Sequence, residues 1–226
     1  MEVDAALAAL GAGPESDERA DHQRLLASGR WRHRFARGEV LYRAGDVGDT
    51  VHVVAKGHVA LRTLTPLGDE VTFSVLGPGD VGGLAALMGA PLRVASAVAL
   101  DACETHEIAH SELVELRLTN PTLDQFLLER LADQFARLAE HLLEALYVPA
   151  ESRVLRRLQA LAPLYGNDLG ATIVVPLTQD DLANLAGTSR PTTNRVLRIA
   201  QDAGVLTIHR GRVEIHHIDG LAELAR

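Results

Sequence analysis

The stretch from Pro121 to Tyr147, PTLDQFLLERLADQFARLAEHLLEALY, contains no internal proline or glycine and is closed off by Pro149. Proline is tolerated at a helix start and breaks a helix interior, so these two residues frame one long helix. Asn120 precedes it as a candidate cap. Within the frame, Leu128, Leu131, Phe135, Leu138, Leu142 and Ala145 recur at alternating spacings of three and four. That is the heptad rule for a helix that packs along a partner helix. A stripe of this kind could also pack on the chain's own body. Leu127, Leu143 and Leu146 widen the apolar face beyond a single stripe, which favours a helix with two partners: its own domain and a second copy of the chain.

The long helix divides 226 residues into two blocks of different character. From Phe35 to about Ile108 the apolar runs are short and β-branched: VHVV (51–54), VALRTL (59–64) and VTFSVL (71–76). Partial alternation and turn clusters such as AGDVGD, TPLGDE and LGPGD identify strands joined by tight turns. Gly57, Gly68 and Gly79 fall eleven residues apart, the period of strand, turn and strand. The expected fold class is α+β. An antiparallel β-roll occupies residues 1–112, with a short helical or frayed segment at 1–30. The dimerisation helix takes 113–148. A C-terminal domain occupies 149–226, with a helix at about 151–162 and a strand within 171–178.

The C-terminal block carries LTQDDLANLAGTSRPTTNRVLRIAQDAGVL at 177–206. Thr178 and Asp181 form a variant capping box, Gly187 supplies a turn, and Ser189 caps a second helix. Leu182 and Leu185 face inward and Ala183 leaves room for a close crossing. Val196, Leu197 and Ile199 supply the buried side of the second helix, with Ile199 at its edge. Arg190, Thr193, Asn194, Arg195 and Arg198 supply its exposed face, with no acidic residue between Arg190 and Asp202. Arginine reads guanine edges through two hydrogen bonds, and hydroxyls and amides suit phosphate or adenine. LTIHRGRVEIHHI (206–218) reads as a hairpin with His209, Arg210 and Arg212 at its tip. The alternative is a helical module that makes protein contacts only.

Charge agrees with this division. The chain has 22 basic and 30 acidic residues. Residues 1–148 hold 13 and 22 of them, and residues 149–226 hold 9 and 8. The C-terminal block is near neutral, so double-stranded DNA would be held by a local arginine cluster rather than by bulk charge. The one cysteine, Cys103, excludes an internal disulfide and reads as a small buried residue. His106 with His110 and His216 with His217 provide no specific ligand pair, so no metal site and no catalytic residue is expected. No membrane span and no signal segment is expected, which makes the cytoplasm the default location.

Taken in order, GEVLYRAGDVGD (38–49), VAKGHVAL (54–61), GPGDVGGLAALMG (77–89), ACE (102–104), Asn120–Pro121 and TQDDLANLAGTSRPTTNRVLR (178–198) make the chain resemble the CRP/FNR family of bacterial transcription regulators. The resemblance implies a cyclic-nucleotide-binding roll, a dimerisation helix and a winged helix–turn–helix. It also implies a homodimer on a palindromic site, with RNA polymerase as a partner. Arg190 and Arg195 match the family's guanine-reading arginines. Pro191 replaces an intervening glutamate, and Thr192 keeps a hydroxyl for phosphate.

The effector pocket implied by the resemblance comprises Gly82, Gly83, Leu84, Arg93, Val94, Gln134 and Leu138. Gly83 stands where the cyclic-AMP pattern has a ribose-binding glutamate, and Val94 where it has serine or threonine. Leu138 and Ala139 stand where the helix offers hydroxyls to adenine. The phosphate part, Gly83–Leu84 with Arg93, is kept. The expectation is therefore a pocket for a different small phosphorylated effector, or for none, with no resident cofactor. A cyclic-AMP-responsive regulator is the alternative.

Overall fold

The computed structural model describes residues 31–87, 91–166 and 172–226. The reading of residues 1–30 and the end of the glycine cassette, Met88–Ala90, lie outside them. Eight strands build the roll: β1 (Trp31–Phe35), β2 (Val40–Tyr42), β3 (Thr50–Lys56), β4 (Val59–Leu64), β5 (Glu70–Leu76), β6 (Val81–Gly82), β7 (Ser96–Ala99) and β8 (Cys103–Ala109). They form two four-stranded sheets of order β1-β8-β3-β6 and β2-β7-β4-β5, with antiparallel pairing throughout. A short helix, α1 (Leu84–Leu87), follows β6.

Strand β3 is buried on both faces, which explains its nearly continuous valine run. Val54 joins Val59, Leu61, Leu76 and Ala97 between the sheets. Val51 and Val53 join Ile108 beneath the helices. The turn after β3 requires glycine. Gly57 has φ +73°, and a Cβ there would lie 2.5 Å from the Ala102 carbonyl oxygen and 2.7 Å from the Cys103 Cβ.

Past the roll, α2 (His110–Thr119) is separate from α3 (Thr122–Tyr147). The long helix thus begins at Thr122 rather than in the 113–119 region, because Asn120 turns its amide back to cap α2, donating to the Leu116 carbonyl at 2.9 Å. His106 ends up in β8 and His110 in α2, so helical spacing does not relate them. Leu123, Phe126 and Leu127 anchor the first turns of α3 beneath the roll. Leu131 is partly buried there, whereas Leu128, Phe135, Leu138, Leu142, Leu143 and Leu146 are exposed.

The C-terminal domain comprises α4 (Ala150–Tyr165), β9 (Ile173–Val175), α5 (Gln179–Ala186), α6 (Arg190–Asp202), β10 (Leu206–His209), β11 (Arg212–Ile215) and α7 (Ile218–Leu224). Its three strands pair antiparallel in the order β10-β11-β9. Leu158, Leu182, Leu197 and Leu206 are central to its core, which extends to Ala60 and Leu100 of the roll. Arg153 binds this domain to the long helix. Its guanidinium donates to the Val148 carbonyl at 2.9 Å, the Ala186 carbonyl at 2.9 Å and the Gly187 carbonyl at 3.0 Å. Carbonyls left unpaired at the ends of α3 and α5 converge on one cation.

Gly57→Ala is expected to cost roughly 2 kcal/mol or more, because the left-handed backbone and the contact with Ala102 both disfavour a side chain. Chemical denaturation monitored by circular dichroism reads this as a lower midpoint.

Candidate nucleic-acid interface and effector cavity

The capping box predicted at the start of α5 is formed. Thr178 Oγ1 accepts from the Asp181 amide at 3.0 Å, and the Asp181 carboxylate accepts from the Thr178 amide at 2.9 Å. Gly187 ends α5 in the left-handed conformation (φ 57°, ψ 48°), and Ser189 Oγ caps α6 by accepting from the Thr192 amide at 3.3 Å. Thr192 adds a hydroxyl–hydroxyl bond to Ser189 at 3.0 Å. Pro191 sits in the first turn, where it costs no hydrogen bond.

Arg190, Arg195 and Arg198 project from the exposed face of α6, and Arg210 and Arg212 flank the β10–β11 turn. Two expectations for α6 are corrected. Thr193 is fully buried and donates to the Ser189 carbonyl at 3.2 Å. Ile199 is 54% exposed. The helical period explains both: Thr193 lies in line with Val196, Leu197 and Ala200, whereas Ile199 falls beside Arg195 and Arg198. Asn194 is half-buried, and its amide donates to Gln179 at 3.0 Å, which locks α6 to α5.

Carboxylates hold two of the three outward arginines. Arg190 lies 3.3 Å from Asp180, and Arg195 lies 2.6 Å from Glu151. The Glu151 carboxyl is lowered below its ordinary value by its own backbone amide and by Arg195. Such exposed pairs contribute little and exchange readily for phosphate or base edges. At the hairpin, Arg212 and His209 both reach Glu214, at 3.1 Å each.

The second site lies in the roll. Gly83 has φ +87°, and a Cβ there would fall 2.2 Å from Arg93 Nη1. Arg93 therefore occupies the space that a side chain at position 83 would need. Its guanidinium is buried, donates through Nη2 to the Thr50 carbonyl at 2.7 Å and Oγ1 at 2.9 Å, and stacks 4.2 Å above the Tyr42 ring. Nε and Nη1 have no partner among the described residues.

A cavity of about 90 Å³ opens beside Arg93, lined by Tyr42, Gly83, Leu84, Val94 and Gln134 among others. Val94 forms part of its rim and is largely exposed; Gln134 is committed to the Val81 carbonyl at 2.9 Å. Gly82 is buried in β6 opposite His52. Leu138 lies instead in an adjoining groove of about 540 Å³ with Leu61, Phe73, Leu128 and Phe135.

Tyr42 and His52 escape a reading of the glycine cassette, because they come from strands over thirty residues earlier. Burial raises the Tyr42 phenol, against the charge of Arg93. Burial, then Arg93 and His33, lower His52 from 6.5 to about 4.

Two family models match this architecture in order. The cyclic nucleotide-binding domain matches residues 32–120, and the Crp-like helix-turn-helix domain matches residues 129–224. The cyclic AMP receptor protein of Thermus thermophilus is 32% identical over 194 residues, 86% of this chain and 88% of its own length. The chain belongs to the CRP/FNR family of transcription regulators. The CRP-like cAMP-activated global transcriptional regulator of Mycobacterium tuberculosis is 27% identical over 85% of this chain and 87% of its own length. A solved CRP-family transcriptional regulator from Thermus thermophilus superposes with a TM-score of 0.73 at 25% identity, covering 85% of this chain and 96% of its own. Like its relatives, the chain joins the family's nucleotide-binding roll to its DNA-binding domain. No helix among the described residues is long and apolar enough to cross a membrane.

The low His52 value makes a pH test possible. Between pH 6.5 and about 4 the unfolded chain binds a proton that native His52 refuses, so stability falls as pH drops through that window and levels off below it. Relative to His52→Gln, the native chain should lose roughly 2–4 kcal/mol across it. Urea titrations at pH 7 and pH 4.5 on both proteins measure the difference.

Proposed function

We propose that the chain works as a homodimer that binds a palindromic duplex-DNA site and regulates transcription there with RNA polymerase. The observation that carries this reading is the acid-free face of α6. Arg190, Arg195 and Arg198 project from a capped helix whose other side is fully packed, and Arg210 and Arg212 at the hairpin are the basic partners for backbone phosphate. Thr178, Ser189 and Thr192 place hydroxyls near the helix starts, where an anion is favoured. The exposed row Leu128, Phe135, Leu138 and Leu142 supplies the dimer interface, with Leu131 bridging to the roll.

The effector of this reading is small and anionic, and is not cyclic AMP. Two donors on buried Arg93 that have no partner among the described residues suit an anion, but 90 Å³ is well below the roughly 300 Å³ at which ligand pockets begin. Without hydroxyls at Val94, Leu138 and Ala139, or a carboxylate at Gly83, three or four hydrogen bonds are lost at about 1–3 kcal/mol each.

Selection of bound fragments from random duplex DNA should return a two-fold symmetric site. On that site Arg190→Ala is expected to cost about 1–3 kcal/mol and relax one base position, while Arg210→Ala weakens binding to all sequences and reduces the salt slope by about one. Recovery of no preferred sequence would refute the reading. Calorimetry tests the effector separately. Cyclic AMP is expected to show no micromolar binding, whereas inorganic phosphate should raise the melting temperature of the native chain but not of Arg93→Met.

A further inference from the structure

The roll and the DNA-binding domain meet across a mixed interface. Its apolar part is the C-terminal core reaching Ala60 and Leu100. His58 extends it by stacking on Tyr165, ring centroids 4.1 Å apart, with its own position held by two 2.7 Å contacts to Asp101. Its polar part converges on Asp181. Arg62 of β4 reaches Asp181 Oδ1 at 2.8 Å, and Arg37, from the turn after β1, reaches Oδ2 at 2.9 Å. Arg37 also donates to the Gly211 carbonyl at 3.1 Å, between Arg210 and Arg212 at the hairpin tip. Arg62 simultaneously holds Glu70 at 2.9 Å, and Glu70 accepts from Asn184 of α5 at 3.3 Å.

The partners belong to different domains, 119 and 144 residues apart. The side chains of Arg62 and Asp181 are largely buried, at 13% and 16% exposure, so this pair escapes much of the solvent screening that weakens surface pairs such as Arg37–Asp181. Burial works against the charge on Asp181, but Thr178, Arg62 and Arg37 outweigh it and keep its carboxyl below the ordinary range.

The same contact brings the β4–β5 loop to the recognition helix. Asp69 and Glu70 share a groove of about 490 Å³ with Asp180, Ser189 and Arg190. A DNA phosphate seated at the start of α6 would face these three carboxylates within a Debye length, about 8 Å at physiological salt. It would also compete with Arg37 for the hairpin tip.

We propose that Arg37 and Arg62 are an interdomain latch that holds α5 and the hairpin against the roll in an arrangement closed to DNA, so that the latch must open for the duplex to bind. This rests on the DNA-binding reading above. With Arg62 removed, Glu70 and Asp181 repel each other and the loop leaves the groove. The Thr178–Asp181 capping box is untouched, because both changes are made on the roll.

The test uses the full chain and its selected DNA site, with fluorescence anisotropy in the absence of effector. Arg37→Gln/Arg62→Gln is expected to bind about tenfold more tightly than the native chain, the factor by which a dominant closed state reduces apparent affinity. Amide exchange in 179–186 should rise in the same protein. Should the double variant fold poorly, Arg37→Gln alone is expected to move affinity in the same direction by a smaller factor. Unchanged or weaker binding by a folded variant overturns the latch. Arg190→Ala/Arg195→Ala serves as the control. If it too leaves binding unchanged, the DNA-binding reading fails; if it abolishes binding while the latch variants change nothing, only the latch fails.

Discussion

The unequal sides of α3 govern how the rest of the molecule is arranged. Leu123, Phe126 and Leu127 bury the start of the helix under the roll, and the remaining heptad residues run on past that support. Burying a leucine or phenylalanine side chain is worth about 1.5–3 kcal/mol, so the first turns are firmly held. The later turns expose an apolar row that water disfavours. One end of the helix is thus fixed to the roll, while the other carries an apolar row that the described residues leave uncovered. The adjoining apolar groove, between Leu61 and Phe73 of the roll and Leu128 and Phe135 of the helix, lies where these two parts meet.

Features set by residues a few positions apart were legible from the sequence. The capping box at Thr178, the left-handed turn at Gly187, the cap at Ser189 and the positive-φ glycines at 57, 68 and 79 follow from local backbone chemistry, to which Gly57 adds its close approach to Ala102. Errors arose where phase or distance decided. Thr193 and Ile199 exchanged sides because a polar type was taken to mean exposure and an apolar type to mean burial, whereas the 3.6-residue period places each by its angle around α6. Asn120 was assigned to the helix that follows it, although its amide serves the helix before it. Residues brought together only by the tertiary fold left no signal in spacing: Arg93 with Tyr42, or Arg62 with Asp181.

The cavity beside Arg93 shows how one residue's lack of a side chain shapes a site. At Gly83 the missing side chain leaves room that Arg93 takes for itself, close enough that no other residue fits without moving it. The arginine donates to Thr50 and lies over Tyr42, and the opening beside it measures about 90 Å³.

Arg153 has a consequence for how force crosses the molecule. Its guanidinium joins the last carbonyls of the long helix to the carbonyls at the turn between α5 and α6. Pro149 looks like a natural pivot, yet the bridge runs across it and stiffens it. The α5–α6 turn is therefore tied to the end of the long helix by hydrogen bonds that bypass the proline.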